Sequence, residues 1–161
     1  MIIIGSDHGG YQLKEYLKVR LTKNKIPYAD CGCDGSNVDY PDIAEAVCRK
    51  VMKEPNVNKG VIICGTGIGV SITANKFRGI RAALCADYYS AKYTRLHNDS
   101  NVLCLGGRTL GEDVAWELLD VWLHTEFEGG RHQPRVDKIT AIENKEIEKE
   151  IDNYKQGESI K

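Results

Sequence analysis

The chain of 161 residues fits a single folded domain, and at this length folding buries roughly two-thirds of the surface that the unfolded chain exposes. Its formal net charge is -1 and the charged residues are interspersed, so no basic surface favours a nucleic acid or an anionic membrane as a partner. No apolar run reaches the roughly 20 residues that span a bilayer. The first segment, MIIIGSDHGG, lacks the basic start and the length of a signal peptide, so we expect a cytoplasmic protein.

The six cysteines are expected to be reduced thiols, because the cytoplasm does not favour disulfides. Cys31 and Cys33 form a C-x-C pair, but no second pair of cysteines or histidines follows at the spacing of a zinc site. We therefore set a metal site aside and expect most of these cysteines to pack in the core.

Apolar runs and helical patterns alternate along the chain. MIIIG predicts a buried strand, and the leucines after Gly9-Gly10 recur at helix spacing. YADCG predicts a second strand, and YPDIAEAVCRKVMKE a helix with Pro41 in its first turn. Three further strands, VIIC, AALCA and NVLCLG, are each followed by a predicted helix, over residues 70–76, 88–96 and 112–127.

This order amounts to five βα units whose strands are apolar on both faces. Such strands are typical of a parallel sheet with helices on each side. The predicted fold is therefore a three-layer α/β/α sandwich, with a Rossmann-like five-stranded parallel sheet. Ligands of such sheets bind beyond the carboxyl ends of the strands. The polar loops SDHGG, CGTGIG, CADYYS and GGRTLG follow strands and mark the edge where we expect the site.

The loop after the third strand carries a thiol and three glycines at alternate positions, Gly65, Gly67 and Gly69. A dinucleotide-binding fingerprint would need a third glycine where Val70 stands, although Asp87 lies at a plausible distance for a ribose contact. The C-x5-R motif of phosphatases would need an arginine at that same position, and no nucleotide P-loop sequence occurs. What remains is a thiol next to a ring of backbone N–H groups, which bind phosphate or a developing oxyanion.

The residue itself leaves the role of Cys64 open. A thiol at the start of a helix ionises more readily than usual, so Cys64 can act as a proton acceptor or as a nucleophile. The alternative is a cysteine that only fills the core at the end of a strand. Other polar residues favour the functional interpretation: Asp7-His8, Tyr40, His97-Asn98, Arg131 and Arg135.

Six motifs occur in order along the chain: SDHGG, DYPD, ICGTGIGVSITANK, GIRAALC, RLHNDSNVL and EGGRHQPRV. Together they resemble the ribose-5-phosphate isomerase B family, which also contains galactose-6-phosphate and allose-6-phosphate isomerases. The resemblance extends from Met1 to about Ile151. It implies an enzyme that interconverts D-ribose 5-phosphate and D-ribulose 5-phosphate without a metal or an organic cofactor. The alternatives are a preference for allose 6-phosphate or galactose 6-phosphate and, less favoured, a nucleotide-binding module.

The resemblance also implies the catalytic residues. The base of this family is either a cysteine before the G-T-G motif or a glutamate in the following helix; GVSITANK holds no glutamate, which leaves Cys64. His97 would open the furanose ring, because imidazole exchanges protons near neutral pH. Cys64 would next remove the proton from carbon two of the open chain and deliver it to carbon one. The intermediate enediolate needs fixed donors, which backbone N–H groups can supply: those of Gly65, Thr66, Gly67 and Gly69. The Thr66 hydroxyl can also carry the proton between the two sugar oxygens.

The substrate phosphate needs a cationic clamp, for which Arg131 and Arg135 offer forked donors. Pro134 predicts that the last helix begins there, so Arg131 would lie in the preceding loop. Arg108 and His8 are weaker candidates for the same end of the substrate. Further candidates would contact sugar hydroxyls or shape the site, each with a purely structural role as the alternative: Asp7, Tyr40, Asn98 and Ser71.

The last helix carries a narrow apolar stripe among dense charges, formed by Val136, Ile139, Ile147 and Ile151. Such a stripe suits packing against a second chain, the alternative being a helix that lies on its own domain. The resemblance implies a homodimer, sometimes a tetramer. We expect shared active sites, in which His97, an arginine or both reach Cys64 of the other chain. Residues 1–153 are assigned to one domain, followed by a frayed tail over 154–161.

Overall fold

The computed structural model describes residues 1–158, which form five strands and six α-helices. The strands are β1 (Ile2–Ser6), β2 (Tyr28–Asp30), β3 (Lys59–Cys64), β4 (Ala82–Leu84) and β5 (Val102–Gly106). The helices are α1 (Tyr11–Lys23), α2 (Tyr40–Val51), α3 (Ile68–Ala74), α4 (Tyr88–Asn98), α5 (Glu112–Leu123) and α6 (Gln133–Glu158). A 3-10 turn, Gly130–His132, precedes α6. Each strand is followed by the helix of the same number, which confirms the five predicted βα units.

The strands form one parallel sheet in the order β2-β1-β3-β5-β4. In the paired register, Ser6 of β1 lies opposite Ile63 of β3, and Gly106 of β5 lies opposite Cys64. The carboxyl ends of these three central strands therefore meet at one edge, around Cys64.

Helices cover both faces of the sheet. On one face, α1 and α5 pack over a core that includes Val61 and Ile63 of β3, and on the other face α2 and α3 pack over Ile62 and Cys64. Alternate residues of a strand point to opposite faces, so each of these buried side chains has a helix layer to pack against. Burial of one such isoleucine stabilises the fold by roughly 1.5–3 kcal/mol. The predicted three-layer sandwich is confirmed.

Several helix ends differ from the sequence-based expectation. α2 ends at Val51 and α3 at Ala74, each before the end of its predicted segment. α3 begins at Ile68, because Gly67 takes a left-handed backbone conformation (φ 78°) that turns the chain into the helix early. α4 extends to Asn98, and α5 ends at Leu123. Beyond α5 the Thr125 hydroxyl donates to the Val121 carbonyl at 2.6 Å, which occupies an acceptor that a longer helix would use.

The chain divides into two compact units, Met1–Phe127 and the segment that begins at Glu128. The assignment of residues 1–153 to one domain stays a prediction. α6 includes residues 154–158 of the tail, and residues 159–161 lie outside the described part of the chain. On the predicted stripe of α6, Ile139 and Ile151 are about half exposed, at 46% and 47%. The side chain of Ile147 is not among those described.

All six cysteines are free thiols, as predicted. Of the helices within residues 1–158, none combines the length and the apolar character needed to cross a membrane.

Candidate active site

Cys64 is the last residue of β3, and its side chain is 5% exposed. The chain turns sharply after it, so that the backbone N–H of Gly67 donates to the Cys64 sulfur at 3.1 Å. The turn requires glycine at position 67, because its φ is positive and a Cβ there would lie 2.5 Å from Leu84 and 2.9 Å from the backbone of Leu105. A fixed N–H donor at this distance stabilises negative charge on the sulfur.

The other backbone donors proposed for the enediolate lie in the same turn. Gly65 and Thr66 follow Cys64 directly, and Gly69 lies in the first turn of α3. The Thr66 hydroxyl is exposed and accepts a hydrogen bond from the Ile68 N–H at 3.3 Å. Since the Gly67 N–H donates to the Cys64 sulfur, it is already engaged in this arrangement, while the N–H groups of Gly65, Thr66 and Gly69 remain candidates for a substrate oxygen.

The loop after β1 packs against the Cys64 turn. A Cβ on Gly9 would lie 3.1 Å from the Gly65 nitrogen, which measures how closely the two backbones approach. The Asp7 side chain is buried and accepts from the Gly10 N–H at 3.0 Å, whereas His8 is exposed. Asp7 therefore holds its own loop in shape, and His8 projects from it toward solvent beside the turn.

Tyr40 and Arg108 border the turn on either side. A Cβ on Gly69 would lie 2.7 Å from the Tyr40 ring, and one on Gly65 would lie 3.4 Å from the Arg108 side chain. The backbone N–H of Arg108 also donates to the Gly65 carbonyl at 2.9 Å. The Tyr40 ring, at the start of α2, and the Arg108 side chain, in the loop after β5, thus lie against the turn that follows Cys64. Ser71 lies nearby on α3, where its hydroxyl donates to the Ile68 carbonyl at 2.8 Å.

His97 and Asn98 do not join this group within one chain. They occupy the last turn of α4, which begins after β4 at the carboxyl edge of the sheet and runs back to the amino edge. The chain then enters β5 at Val102, which pairs with Gly60, four residues before Cys64. At a rise of roughly 3.3 Å per residue this offset is about 13 Å along the strand. Cys64 and His97 therefore lie at opposite edges of the sheet.

Arg131 and Arg135 belong to the second unit. Arg131 lies in the 3-10 turn, as the position of Pro134 predicted, and Arg135 lies in the first turn of α6. The Arg135 guanidinium donates to the Arg131 carbonyl, and Arg131 Nε lies 3.2 Å from His132 Nε2. A Glu128 oxygen lies 3.6 Å from the same His132 nitrogen. The two guanidinium groups are thus held near the start of one helix.

Asp87, the acidic residue that a nucleotide-binding module would use for a ribose, is engaged at a helix end. Asp87 caps α4: its two carboxylate oxygens accept from the Ser90 N–H at 2.8 Å and from the Ser90 hydroxyl at 2.7 Å. The backbone hydrogen bond from Ser90, aided by its hydroxyl, lowers the pKa of Asp87. A carboxylate engaged in this way serves the helix end rather than a ribose.

Lys14 is a buried residue that the sequence analysis did not single out. Its amino group contacts Asp30 Oδ2 at 2.9 Å and the Cys33 carbonyl at 2.8 Å, and the Cys33 N–H donates to Ser6 at 3.1 Å. These bonds fix the start of the loop that leads from β2 to Tyr40. One feature of the sequence could have indicated that Lys14 is buried. It lies three residues before Leu17, and this spacing places it on the apolar side of α1.

Comparisons with known proteins agree with the fold. A family model described as Ribose/Galactose Isomerase matches residues 2–139. The chain belongs to this family. It is 46% identical over 145 residues to ribose-5-phosphate isomerase B of Escherichia coli K12, covering 89% of this chain and 97% of the relative.

Solved structures extend the comparison. The structure of Clostridium thermocellum ribose-5-phosphate isomerase B superposes with a TM-score of 0.86 at 48% identity, covering 89% of this chain and 97% of the other. The Mycoplasma genitalium enzyme, solved with bound ribulose-5-phosphate, gives 0.85 at 41% identity, covering 89% and 95%. The family resemblance, the α/β fold and the isomerase class are confirmed. The protein is an aldose-ketose isomerase of sugar phosphates, and the nucleotide-binding module is not favoured.

Proposed function

We propose that the protein interconverts D-ribose 5-phosphate and D-ribulose 5-phosphate, with Cys64 as the base. The observation that carries this proposal is the hydrogen bond from the Gly67 N–H to the Cys64 sulfur, at the sheet edge where Tyr40 and Arg108 meet the turn. A purely structural cysteine needs no donor fixed on its sulfur, whereas a base that must carry negative charge gains from one.

The reaction begins with the furanose ring. His97 takes the proton from the anomeric hydroxyl and returns a proton to the ring oxygen, which yields the open-chain aldehyde. The Cys64 thiolate then removes the proton from carbon two, and the electron pair moves to give an enediolate whose charge lies on the oxygen of carbon one. Backbone N–H groups of Gly65, Thr66 and Gly69 stabilise that charge.

The second half of the reaction completes the exchange. The Cys64 thiol delivers its proton to carbon one, while the hydroxyl of carbon two loses its proton and becomes the ketone. The Thr66 hydroxyl carries that proton from the oxygen of carbon two to the oxygen of carbon one. No atom is lost or gained, so the thiolate is regenerated after each turnover.

The ends of the substrate need further contacts. Arg131 and Arg135 bind the phosphate through charge-assisted hydrogen bonds, and Arg108 or His8 assists at that end. Tyr40, Asp7 and Asn98 contact sugar hydroxyls or hold the loops that do, and Ser71 stabilises α3 through its bond to Ile68.

The functional unit is a homodimer with shared sites. The positions of Cys64 and His97 at opposite edges of the sheet support this arrangement, because the two can act on one sugar only when they come from different chains. In a two-fold dimer each such pairing occurs twice, which gives two equivalent sites. The half-exposed Ile139 and Ile151 of α6 are apolar groups that suit a partner chain.

A substrate panel tests the proposed function. Purified protein is assayed with ribose 5-phosphate, allose 6-phosphate and galactose 6-phosphate, and the melting temperature is followed with each sugar and with NAD. We expect the largest kcat/KM and the largest stabilisation with the ribose derivative. A clear preference for a six-carbon phosphate would contradict the substrate assignment, and stabilisation by NAD alone would contradict the activity.

A further inference from the structure

The turn after α4 is built around Asp99, two residues beyond His97. Asp99 has a left-handed backbone (φ 47°, ψ 48°), and its N–H donates to the Arg95 carbonyl at 3.2 Å. The Ser100 N–H donates to the Thr94 carbonyl at the same distance. Aspartate is among the few residues other than glycine that adopt this conformation, and it ends the helix directly after Asn98.

The Asp99 carboxylate joins two arginines. One oxygen accepts from Arg81 at 2.8 Å, and the other accepts from Arg95 at 2.8 Å. Arg81 also donates from Nε to the carbonyls of Asn98, at 3.0 Å, and Asp99, at 2.9 Å. Arg81 therefore binds both the side chain of the turn and the last backbone carbonyls of α4.

These arginines are tied to the rest of the fold. The Arg95 side chain is 6% exposed, and its guanidinium also donates to the carbonyls of Ser100 and Thr125. Arg81 directly precedes β4, and its backbone N–H donates to the Asn101 side chain at 2.8 Å. The indole of buried Trp122 donates to the Ser100 hydroxyl at 2.8 Å. The end of α4 is thus fixed to α5 and to the sheet by charged and polar contacts.

The contacts of Asp99, Arg81 and Arg95 are more than the end of a helix requires. A glycine after Asn98 would end α4 without placing a nearly buried Arg95 beside a carboxylate, which costs desolvation energy. The additional contacts instead fix the direction of the last turn, and with it the His97 ring, which packs edge-on against Tyr93 at 4.9 Å between centroids. Displacing a catalytic group by about 1 Å can cost about 10²-fold in rate.

We propose that Asp99, held between Arg81 and Arg95, is a positioning residue that sets the orientation of His97 for ring opening. The inference rests on the proposed role of His97 in the isomerase reaction. Asp99 itself touches no substrate atom in this account, because its two oxygens are both engaged by arginines.

The test uses Asp99→Asn, since asparagine tolerates the left-handed backbone but loses the charge. Isomerisation of ribose 5-phosphate should fall about 10- to 100-fold with little change in KM, because ring opening is slowed and binding is not. Ribulose 5-phosphate carries its phosphate on the oxygen that a furanose ring would need, so it stays open. Exchange of its carbon-one proton with deuterated water should therefore stay within about twofold of wild type, since this step needs Cys64 but no ring opening.

A double-mutant comparison separates positioning from general damage. If Asp99 acts through His97, the His97→Asn/Asp99→Asn enzyme should be no slower than His97→Asn alone, whereas independent losses would multiply. Glu45→Gln, which removes a carboxylate from the exposed Arg49–Glu45 pair (2.7 Å) on α2, is the matched control and should behave as wild type. Where Asp99→Asn does not fold, Arg81→Lys replaces it in the same comparison, because lysine keeps the charge and loses the forked donors.

The outcomes are distinct. Multiplied losses in the double mutant, an equal fall in deuterium exchange, or full activity of Asp99→Asn beside a slow His97→Asn enzyme would overturn this inference alone. A fully active His97→Asn enzyme would overturn both the role of His97 and the inference that depends on it. A wild-type protein that does not isomerise ribose 5-phosphate would contradict the proposed function.

Discussion

Cys64 and His97 lie at opposite edges of the same parallel sheet: Cys64 ends β3 at the carboxyl edge, and α4 carries His97 back to the amino edge. A parallel βα unit requires this return, because each helix must bring the chain back to the start of the next strand. If Cys64 transfers the proton and His97 opens the ring, as we propose, the two residues must come from different chains to act on one sugar.

Subunit complementation tests that arrangement. Cys64→Ser and His97→Asn chains, each nearly inactive alone, are dissociated, mixed and reassociated. The same is done with Arg131→Ala in place of His97→Asn, at a ribose 5-phosphate concentration well below the wild-type KM, where the raised KM of Arg131→Ala leaves it little activity. For a shared pair, random exchange leaves about one site in four with both residues intact, so about a quarter of the wild-type activity returns. Mass-tagged chains verify the exchange, and mixtures that stay inactive despite proven exchange would mean that each chain carries a complete site.

Ring opening should depend on His97 more than carbon-two chemistry does. In single-turnover experiments His97→Asn should slow the opening of ribose 5-phosphate by about 10²- to 10⁴-fold, the usual contribution of a positioned acid–base group. Loss of the carbon-two proton from the bound open chain should change far less. Equal slowing of both steps would assign His97 another role.

The phosphate clamp predicts a loss that depends on the phosphate. Arg131→Ala and Arg135→Ala should each remove about 1.5 to 3 kcal/mol of charge-assisted binding and raise KM for ribose 5-phosphate about 10- to 150-fold. Slow turnover of unphosphorylated ribose should not change. Arg49→Ala, which removes an exposed arginine of α2, is the control. Equal damage with ribose and ribose 5-phosphate would indicate a structural role for the clamp residues.

Gly67 should be the most sensitive glycine of the turn. Gly67→Ala forces a Cβ to within 2.5 Å of Leu84 at a φ of 78°, and the left-handed backbone alone costs roughly 1–2 kcal/mol. We expect lower unfolding free energy in urea and a large loss of activity, because the N–H moves away from the Cys64 sulfur. Gly111→Ala, which meets no atom within 4 Å, is the control. Unchanged stability and activity of Gly67→Ala would contradict the role given to this turn.

The sequence predicted the layers of the fold and the edge that holds Cys64, because apolar runs and helix spacing are local signals. It did not predict the hydrogen bond from Gly67 to the Cys64 sulfur, which depends on one positive φ that composition does not reveal. The contact of Arg81 with Asp99 was also missed, since it joins residues 18 positions apart through the Arg81 side chain. The order of the strands in the sheet could not be predicted either, because it depends on pairing between segments that are distant in the sequence.

The sequence would have allowed us to predict that His97 lies at the amino edge of the sheet. A helix between two parallel strands must end at the amino edge, so a residue just before a strand cannot lie beside one that ends a strand. The expectation of shared sites rested instead on the separation of Cys64 from Arg131 and Arg135 along the sequence and on the amphipathic terminal helix. Topology alone supports the same conclusion.

The most direct measurement of the central claim, that Cys64 is the base, is exchange of the carbon-one proton of ribulose 5-phosphate with deuterated water, followed by NMR. Wild-type protein should exchange one of the two carbon-one protons, and Cys64→Ala should lose about 10²- to 10⁴-fold of that rate while the Kd for ribulose 5-phosphate stays nearly constant. Cys104→Ala, a buried thiol on the neighbouring strand, controls for the loss of a cysteine. Exchange by Cys64→Ala at the wild-type rate would contradict the account.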